Sequence, residues 1–96
     1  MTNTFKKIES LIKTAFNCGA SYIVVQDTEM MVIKSNDVTA ILNAIDGGDE
    51  EIGINCYDAD KKCLGWFGVY PFEDADDAIF DYSDNKFCNK VITAIN

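Results

Sequence analysis

An α+β fold is what this sequence predicts: a four-stranded antiparallel sheet in the order α-ββ-α-ββ-α, with the helices packed on one face. Three observations carry that expectation. Three stretches place apolar residues at helical spacing, four short runs are rich in β-branched and aromatic residues, and those runs come in pairs joined by short polar connections. Ninety-six residues suit a single domain over 1–96, and 48% hydrophobic with 25% charged residues is an ordinary globular composition.

The first helix is expected over residues 4–17. Phe5, Ile8, Leu11, Ile12, Ala15 and Phe16 share a stripe, Asn3 or Thr4 is placed to cap the start, and Gly19 to end it in a left-handed conformation. Ser21–Gln26 and Met30–Lys34 then read as a hairpin, with turn chemistry at Asp27-Thr28-Glu29. A second helix, capped by Ser35 or Asn36, runs through about Asp46. Val38, Ile41, Leu42 and Ile45 repeat at i, i+3, i+4 and i+7, and Gly47-Gly48 stops it.

The second hairpin pairs Ile52–Tyr57 with Lys62–Tyr70 across a turn at Asp58–Lys61. With Lys61 in the left-handed position of a three-residue loop, Tyr57 faces Cys63 and Cys56 faces Leu64. That register puts Ile52, Ile54, Cys56, Leu64 and Trp66 on one face and leaves Tyr57, Phe67 and Val69 partly exposed. A four-residue loop would instead set Cys56 against Cys63. Gly53, Gly65 and Gly68 point to close packing or a bulge, and Pro71 ends the strand. Ser83 is placed to cap a last helix over 84–95, whose stripe is Phe87, Cys88, Val91, Ile92 and Ile95. The stretch from Glu73 to Asp84 is left as a long acidic connection.

Charge narrows the chemistry. Sixteen acids against eight bases give a net charge of −8; all the bases are lysines, and histidine is absent. That excludes a histidine-based triad, an imidazole general base and a mixed cysteine–histidine zinc site; without arginine there is no bidentate phosphate clamp. So acidic a chain is repelled by nucleic acid and by anionic membrane. No apolar run approaches a membrane span and no h-region follows Met1-Thr-Asn-Thr-Phe-Lys-Lys, so a cytoplasmic location is expected. Cys18, Cys56, Cys63 and Cys88 contain no Cys-x-x-Cys, which argues for reduced, partly buried thiols rather than a four-thiolate zinc site.

The acids are not spread evenly. Twelve of the sixteen fall between residues 46 and 84, in two concentrations: Asp49, Glu50 and Glu51, and then Glu73, Asp74, Asp76, Asp77, Asp81 and Asp84, with Phe80 and Tyr82 interleaved. Carboxylates at that density repel one another and gain most from a cationic partner. An EF-hand reading of Asp58-Ala-Asp60 fails, because Lys62 and Cys63 stand where that loop needs an oxygen ligand and glycine. The contiguous carboxylates also admit a small carboxylate–metal enzyme, but no nucleophile or oxyanion donor can be named around them. The remaining readings are a solvated, solubilising segment and a presented binding surface made of these eleven residues. Since Asp49–Glu51 opens one strand and the acidic stretch follows its hairpin partner, one rim of the sheet is expected to collect both clusters.

The C-terminal third, Gly65-Trp-Phe-Gly-Val-Tyr-Pro and then Ile79-Phe-Asp-Tyr-Ser-Asp-Asn85 leading into a helix, resembles a pattern in small acidic proteins of phages and mobile elements. In size, acidity and lack of catalytic apparatus the chain is similar to the anti-CRISPR proteins. That resemblance implies a non-enzymatic inhibitor without cofactor, acting in the host cytoplasm if phage-encoded. Its partner would be a basic protein or ribonucleoprotein complex, whose Lys/Arg-rich channel it would block, in some cases as a DNA mimic. Immunity proteins that neutralise basic toxin nucleases share the same physics and are the alternative expectation.

Overall fold

The computed structural model describes residues 2–27 and 30–96, and within them helices and hairpins follow the apolar spacing closely. The first helix, α1, spans Asn3–Asn17 and leads into strands β1 (Tyr22–Gln26) and β2 (Met31–Ser35). Helix α2 (Val38–Asp46) is followed by β3 (Ile52–Tyr57) and β4 (Cys63–Val69). A single 3-10 turn at Ala75–Asp77, strand β5 (Ile79–Tyr82) and helix α3 (Lys86–Ile95) complete the chain. Of the expected turn at Asp27-Thr28-Glu29, the last two residues lie outside the described residues; Asp27 accepts a hydrogen bond from the Met30 backbone at 3.2 Å.

The α+β class holds, but the sheet has five strands rather than four, all antiparallel, in the order β2-β1-β3-β4-β5. The extra strand lies inside the acidic stretch. There Val69 pairs with Ile79, Gly68 with Asp81 and Phe67 with Tyr82. Without β5 the whole length of β4 would be a bare edge with unpaired backbone groups. Ile79, Phe80 and Tyr82 are good strand residues, and the four-residue strand covers the Phe67–Val69 part of that edge. Their neighbours' charge hides the signal, because charge density in a sequence reads as solvated loop.

Burial alternates along the strands, so one face of the sheet carries the core. Ile23, Val25, Ile52, Ile54, Cys56, Phe67 and Val69 pack there against Ile8, Leu11 and Ile12 of α1, Ile41 and Ile45 of α2, and Cys88 and Val91 of α3. The register of the second hairpin corrects the expected face of β4. Lys61 does adopt a positive φ of 66°, and Tyr57 does pair with Cys63, but Cys56 pairs with Gly65 and leaves Leu64 as an extra residue. One added residue flips every side chain beyond it. Phe67 and Val69 therefore point into the core at 0% exposure, while Trp66 turns to the other face opposite Asn55. Tyr57 stays half-buried, stacked on Tyr22 with centroids 5.1 Å apart.

The helix starts also shift by a residue or two from those expected. Thr2 caps α1, Asp37 caps α2 and Asn85 caps α3, each accepting from a backbone N–H of the first turn. Each lies within two residues of another Ser, Thr or Asn, and the choice goes to whichever residue precedes the first turn that packs. Ser83 has a different role. Its hydroxyl accepts from the Trp66 N–H at 3.1 Å and its own N–H donates to the Trp66 carbonyl at 3.0 Å, prolonging the β4–β5 ladder.

The register makes a measurable distinction. Phe67→Ala is expected to lose about 3–5 kcal/mol of unfolding free energy, the usual range for truncating a buried phenylalanine. Trp66→Ala, on the half-exposed face, is expected to lose clearly less. Chemical denaturation of both variants checks this; a greater loss at Trp66 would overturn the register.

Candidate functional site

The acidic segments meet at one end of the sheet, and local hydrogen bonding explains how. Beyond β4 the chain leaves the sheet at the buried Pro71 and returns at Ala78, where the Tyr70 N–H donates to the Ala78 carbonyl at 2.7 Å. Between these points the loop is braced from inside. The Glu73 N–H donates to the Tyr70 carbonyl at 3.3 Å and the Asp77 N–H to the Asp74 carbonyl at 2.9 Å. From outside, the buried Thr4 of α1 donates its hydroxyl to the Glu73 carbonyl, and Phe5 packs at a tilt on Phe72 with centroids 6.3 Å apart. Four carboxylates are thus carried on a loop that these backbone hydrogen bonds, the Thr4 hydroxyl and the Phe5–Phe72 contact brace.

This loop forms a ridge between two open grooves. On one side a groove of about 1070 Å³ is lined by Asp49, Glu50, Glu51, Glu73, Asp76 and Asp77 together with Tyr70, Ile79 and Phe80. On the other, a groove of about 900 Å³ is lined by Asp46, Glu73, Asp74 and Asp76, with Phe5, Leu42, Pro71 and Phe72 among its apolar residues. Phe72 is 56% exposed on the ridge. No lysine lines either groove. The C-terminal end of α2, closing at Asp46 with no base in its last turn, adds the negative end of its dipole to the same region. Among the described residues, Glu50, Glu51, Glu73, Asp76 and Asp77 have no lysine within ion-pair distance; the recorded pair is Lys13–Glu9 on α1. Five of the eight lysines, at positions 6, 7, 13, 86 and 90, lie on α1 and α3, which pack together in the helical layer.

The structure therefore brings seven of the eleven expected residues onto the first groove: Asp49, Glu50, Glu51, Glu73, Asp76, Asp77 and Phe80. Asp74 lines only the second. Asp81, Tyr82 and Asp84 sit farther along and line neither. Asp81 accepts from the Tyr82 N–H at 2.8 Å, and Asp84 from the Asn89 amide at 3.4 Å. Sequence reasoning missed Asp46 and Tyr70, whereas Ile79 lies in the expected stretch and does line the first groove. Tyr70 was readable as the last residue before Pro71, but its direction depends on the β4 register.

Aromatic rings extend the first groove onto the helix-free face of the sheet. Tyr70 and Phe80 stack with centroids 4.2 Å apart and planes at 22°, and Trp66 meets Phe80 edge-on at 6.0 Å. Phe80 is the unpaired residue of a bulge between Ile79 and Asp81. Glycine seats these rings: a Cβ on Gly68 would lie 2.4 Å from the Phe80 Cζ, and one on Gly53 2.9 Å from the Trp66 Nε1.

Other chemistry is sparse among the described residues. No group of three or more Cys, Asp or Glu is arranged to hold a metal ion, and no helix is long and apolar enough to cross a membrane. Asp58 is occupied by its own turn, accepting from the N–H groups of Asp60 and Lys62 at 2.9 Å each. The four cysteines are free thiols; Cys63 is exposed, and Cys56 and Cys88 are buried. Burial pushes both of the latter above the usual thiol range, and for Cys56 the neighbouring Cys88 and Cys63 add to the shift. The chain matches no family model, no curated protein and no solved structure. Function has to be argued from the groove.

Two outcomes are expected here. A disulfide reagent will modify Cys63 promptly in the native protein and Cys56 and Cys88 only on unfolding, as peptide mapping after timed quenching will show. The raised folded-state pKa of Cys56 also means that its neutral thiol stabilises the fold fully below the unfolded value and loses that contribution as pH rises above it. Between about pH 8 and about pH 10 the thermal midpoint should fall, and Cys56→Ala should flatten that fall.

Proposed function

We propose that this protein is a non-enzymatic acidic inhibitor, anti-CRISPR-like in character, that binds a basic nucleic-acid-handling protein or ribonucleoprotein through the ridge and the first groove. One observation carries the reading: acids from two segments more than twenty residues apart, Asp49–Glu51 and Glu73–Asp77, line a single groove that no lysine enters. A solubilising segment has no reason to be braced by Thr4 and the Tyr70–Ala78 bond; a presented surface has.

The physics suits a Lys/Arg-rich channel. Nucleic-acid channels are built to neutralise closely spaced negative charge, and a protein rim carrying carboxylates can take that place as a DNA mimic. Five of the lysines lie on α1 and α3 and none lines either groove, so a basic partner would be attracted to the ridge. Association would be fast, oriented and salt-sensitive. Such a partner would place the protein in the cytoplasm.

The test is capture from host lysate by the wild-type protein and by Glu73→Lys/Asp76→Lys/Asp77→Lys. The wild type is expected to retain a basic, nucleic-acid-handling protein, to lose it at least about tenfold on moving from low to high salt, and to be displaced by duplex DNA or guide RNA. The triple variant should keep its far-UV spectrum and capture nothing. Equal capture by both proteins would sink the proposal, and recovery of a toxin nuclease would transfer the same surface to an immunity protein.

A further inference from the structure

The three helices cover one face of the sheet and leave the other without a layer. That open face is not uniformly polar. Near the β2 side it carries the Tyr22–Tyr57 stack, with Lys34 Nζ 4.6 Å from the Tyr22 centroid, and the Asn55–Gln26 hydrogen bond at 3.2 Å. Near β5 it carries Trp66, Phe80 and Tyr70, all half-buried, and these rings run directly into the carboxylates of the first groove. Phe80 borders both that groove and a smaller one of about 170 Å³, which Trp66, Gly53 and Glu51 also line.

Two features of this corner go beyond negative charge. The β5 bulge inserts one residue where a regular strand would place none, and that residue is the large ring of Phe80, aimed away from the core. Gly68 opposite has no Cβ, which is what lets the ring tip settle against the β4 backbone. A stacked aromatic pair bordered by carboxylates is chemically selective among cations. Ammonium groups are compact and strongly hydrated, and in an open groove they keep their water. A guanidinium is planar and weakly hydrated; it stacks on a ring face and still presents paired N–H groups to a carboxylate.

We propose that the helix-free face of the sheet docks an arginine-bearing segment of the basic partner, its guanidinium groups held between the Tyr70–Phe80 stack and the carboxylates of Glu51, Glu73 and Asp77. This deepens the reading of the groove as a cation-binding surface and rests on it. The charge complementarity is one-sided, since among the described residues every ionisable lining residue of the groove except Tyr70 is a carboxylate. Charge alone would accept lysine and arginine equally; the rings break the tie toward arginine.

Trp66, the chain's single tryptophan, lies against Phe80 and supplies the readout. The experiment titrates the intact protein with hepta-arginine and, separately, hepta-lysine at matched ionic strength, following Trp66 fluorescence and confirming affinities by calorimetry. The arginine peptide is expected to bind about three- to tenfold more tightly, the factor that a stacking contact on a partly exposed ring supplies. Phe80→Leu should erase that preference by weakening the arginine peptide more than the lysine peptide, and Phe80→Tyr should keep it. Thermal melts establish that both variants are folded. Equal affinity of the two peptides for the wild type, or a preference that survives Phe80→Leu, would overturn arginine docking and leave the charge-based reading standing. Failure of both peptides to bind would overturn both.

Discussion

The interaction on which the rest of this structure depends is the pairing of β5 with β4. A segment with six carboxylates in twelve residues has every electrostatic reason to extend into water. It is held instead by backbone hydrogen bonds along Ile79–Tyr82, by the closure of Tyr70 onto Ala78, and by Ser83 exchanging two hydrogen bonds with Trp66. Ala78 is fully buried and Ile79 packs against the core, so apolar contacts fix both the start of the strand and the end of the acidic loop. None of these restraints uses a charged side chain. The carboxylates of Glu73, Asp74, Asp76 and Asp77 stay exposed while backbone and apolar contacts hold the segment.

The second constraint is a pair of one-residue irregularities, one in each of the two paired strands of the aromatic corner. The extra residue at Leu64 sends Phe67 and Val69 inward and Trp66 outward; the extra residue at Phe80 sends that ring to the same outer face as Trp66. Without the extra residue at Leu64, Trp66 would return to the core and the aromatic corner would lose its edge contact with Phe80. The glycines at 53 and 68 then read as the complement of these irregularities. They face each other across β3 and β4, and each gives room to one of the two redirected rings.

How much of this was legible follows from the range of the forces involved. Helix stripes, the left-handed Lys61, the Tyr57–Cys63 pair and the clustering of both acidic segments on one rim are consequences of local spacing and connection length, and all could be read along the chain. The register of β4 could not, because the choice between Leu64 and Gly65 as the partner of Cys56 is made by the sheet. Gly65 opposite Cys56 leaves the space that the Cys88 sulfur of α3 occupies, a contact across more than twenty residues. Nor could β5. Its four residues carry one charge among them but sit among five other acids, and only the unpaired edge of β4, which exists in three dimensions alone, gives them a reason to extend. Asp81 and Asp84 were grouped with the other acids for the same reason, and the structure turns them toward local hydrogen bonds instead.

The cost of the arrangement lies in the loop's electrostatics. Six carboxylates around one groove repel one another in the folded protein more than in an extended chain, and the negative end of α2 adds to that repulsion. Their exposure and solvent screening keep the penalty tolerable, and the uncharged bracing of residues 71–78 by backbone hydrogen bonds, the Thr4 hydroxyl and the Phe5–Phe72 contact keeps the loop from opening to relieve it. A cationic surface seated on the ridge would remove the repulsion at its source without moving the loop. The backbone that carries the carboxylates is fixed by folding, so a cationic partner would have only their side chains left to order. That preorganisation separates a charged protein rim from a flexible acidic tail of equal charge, and it is the property a rigid substitute for nucleic acid requires.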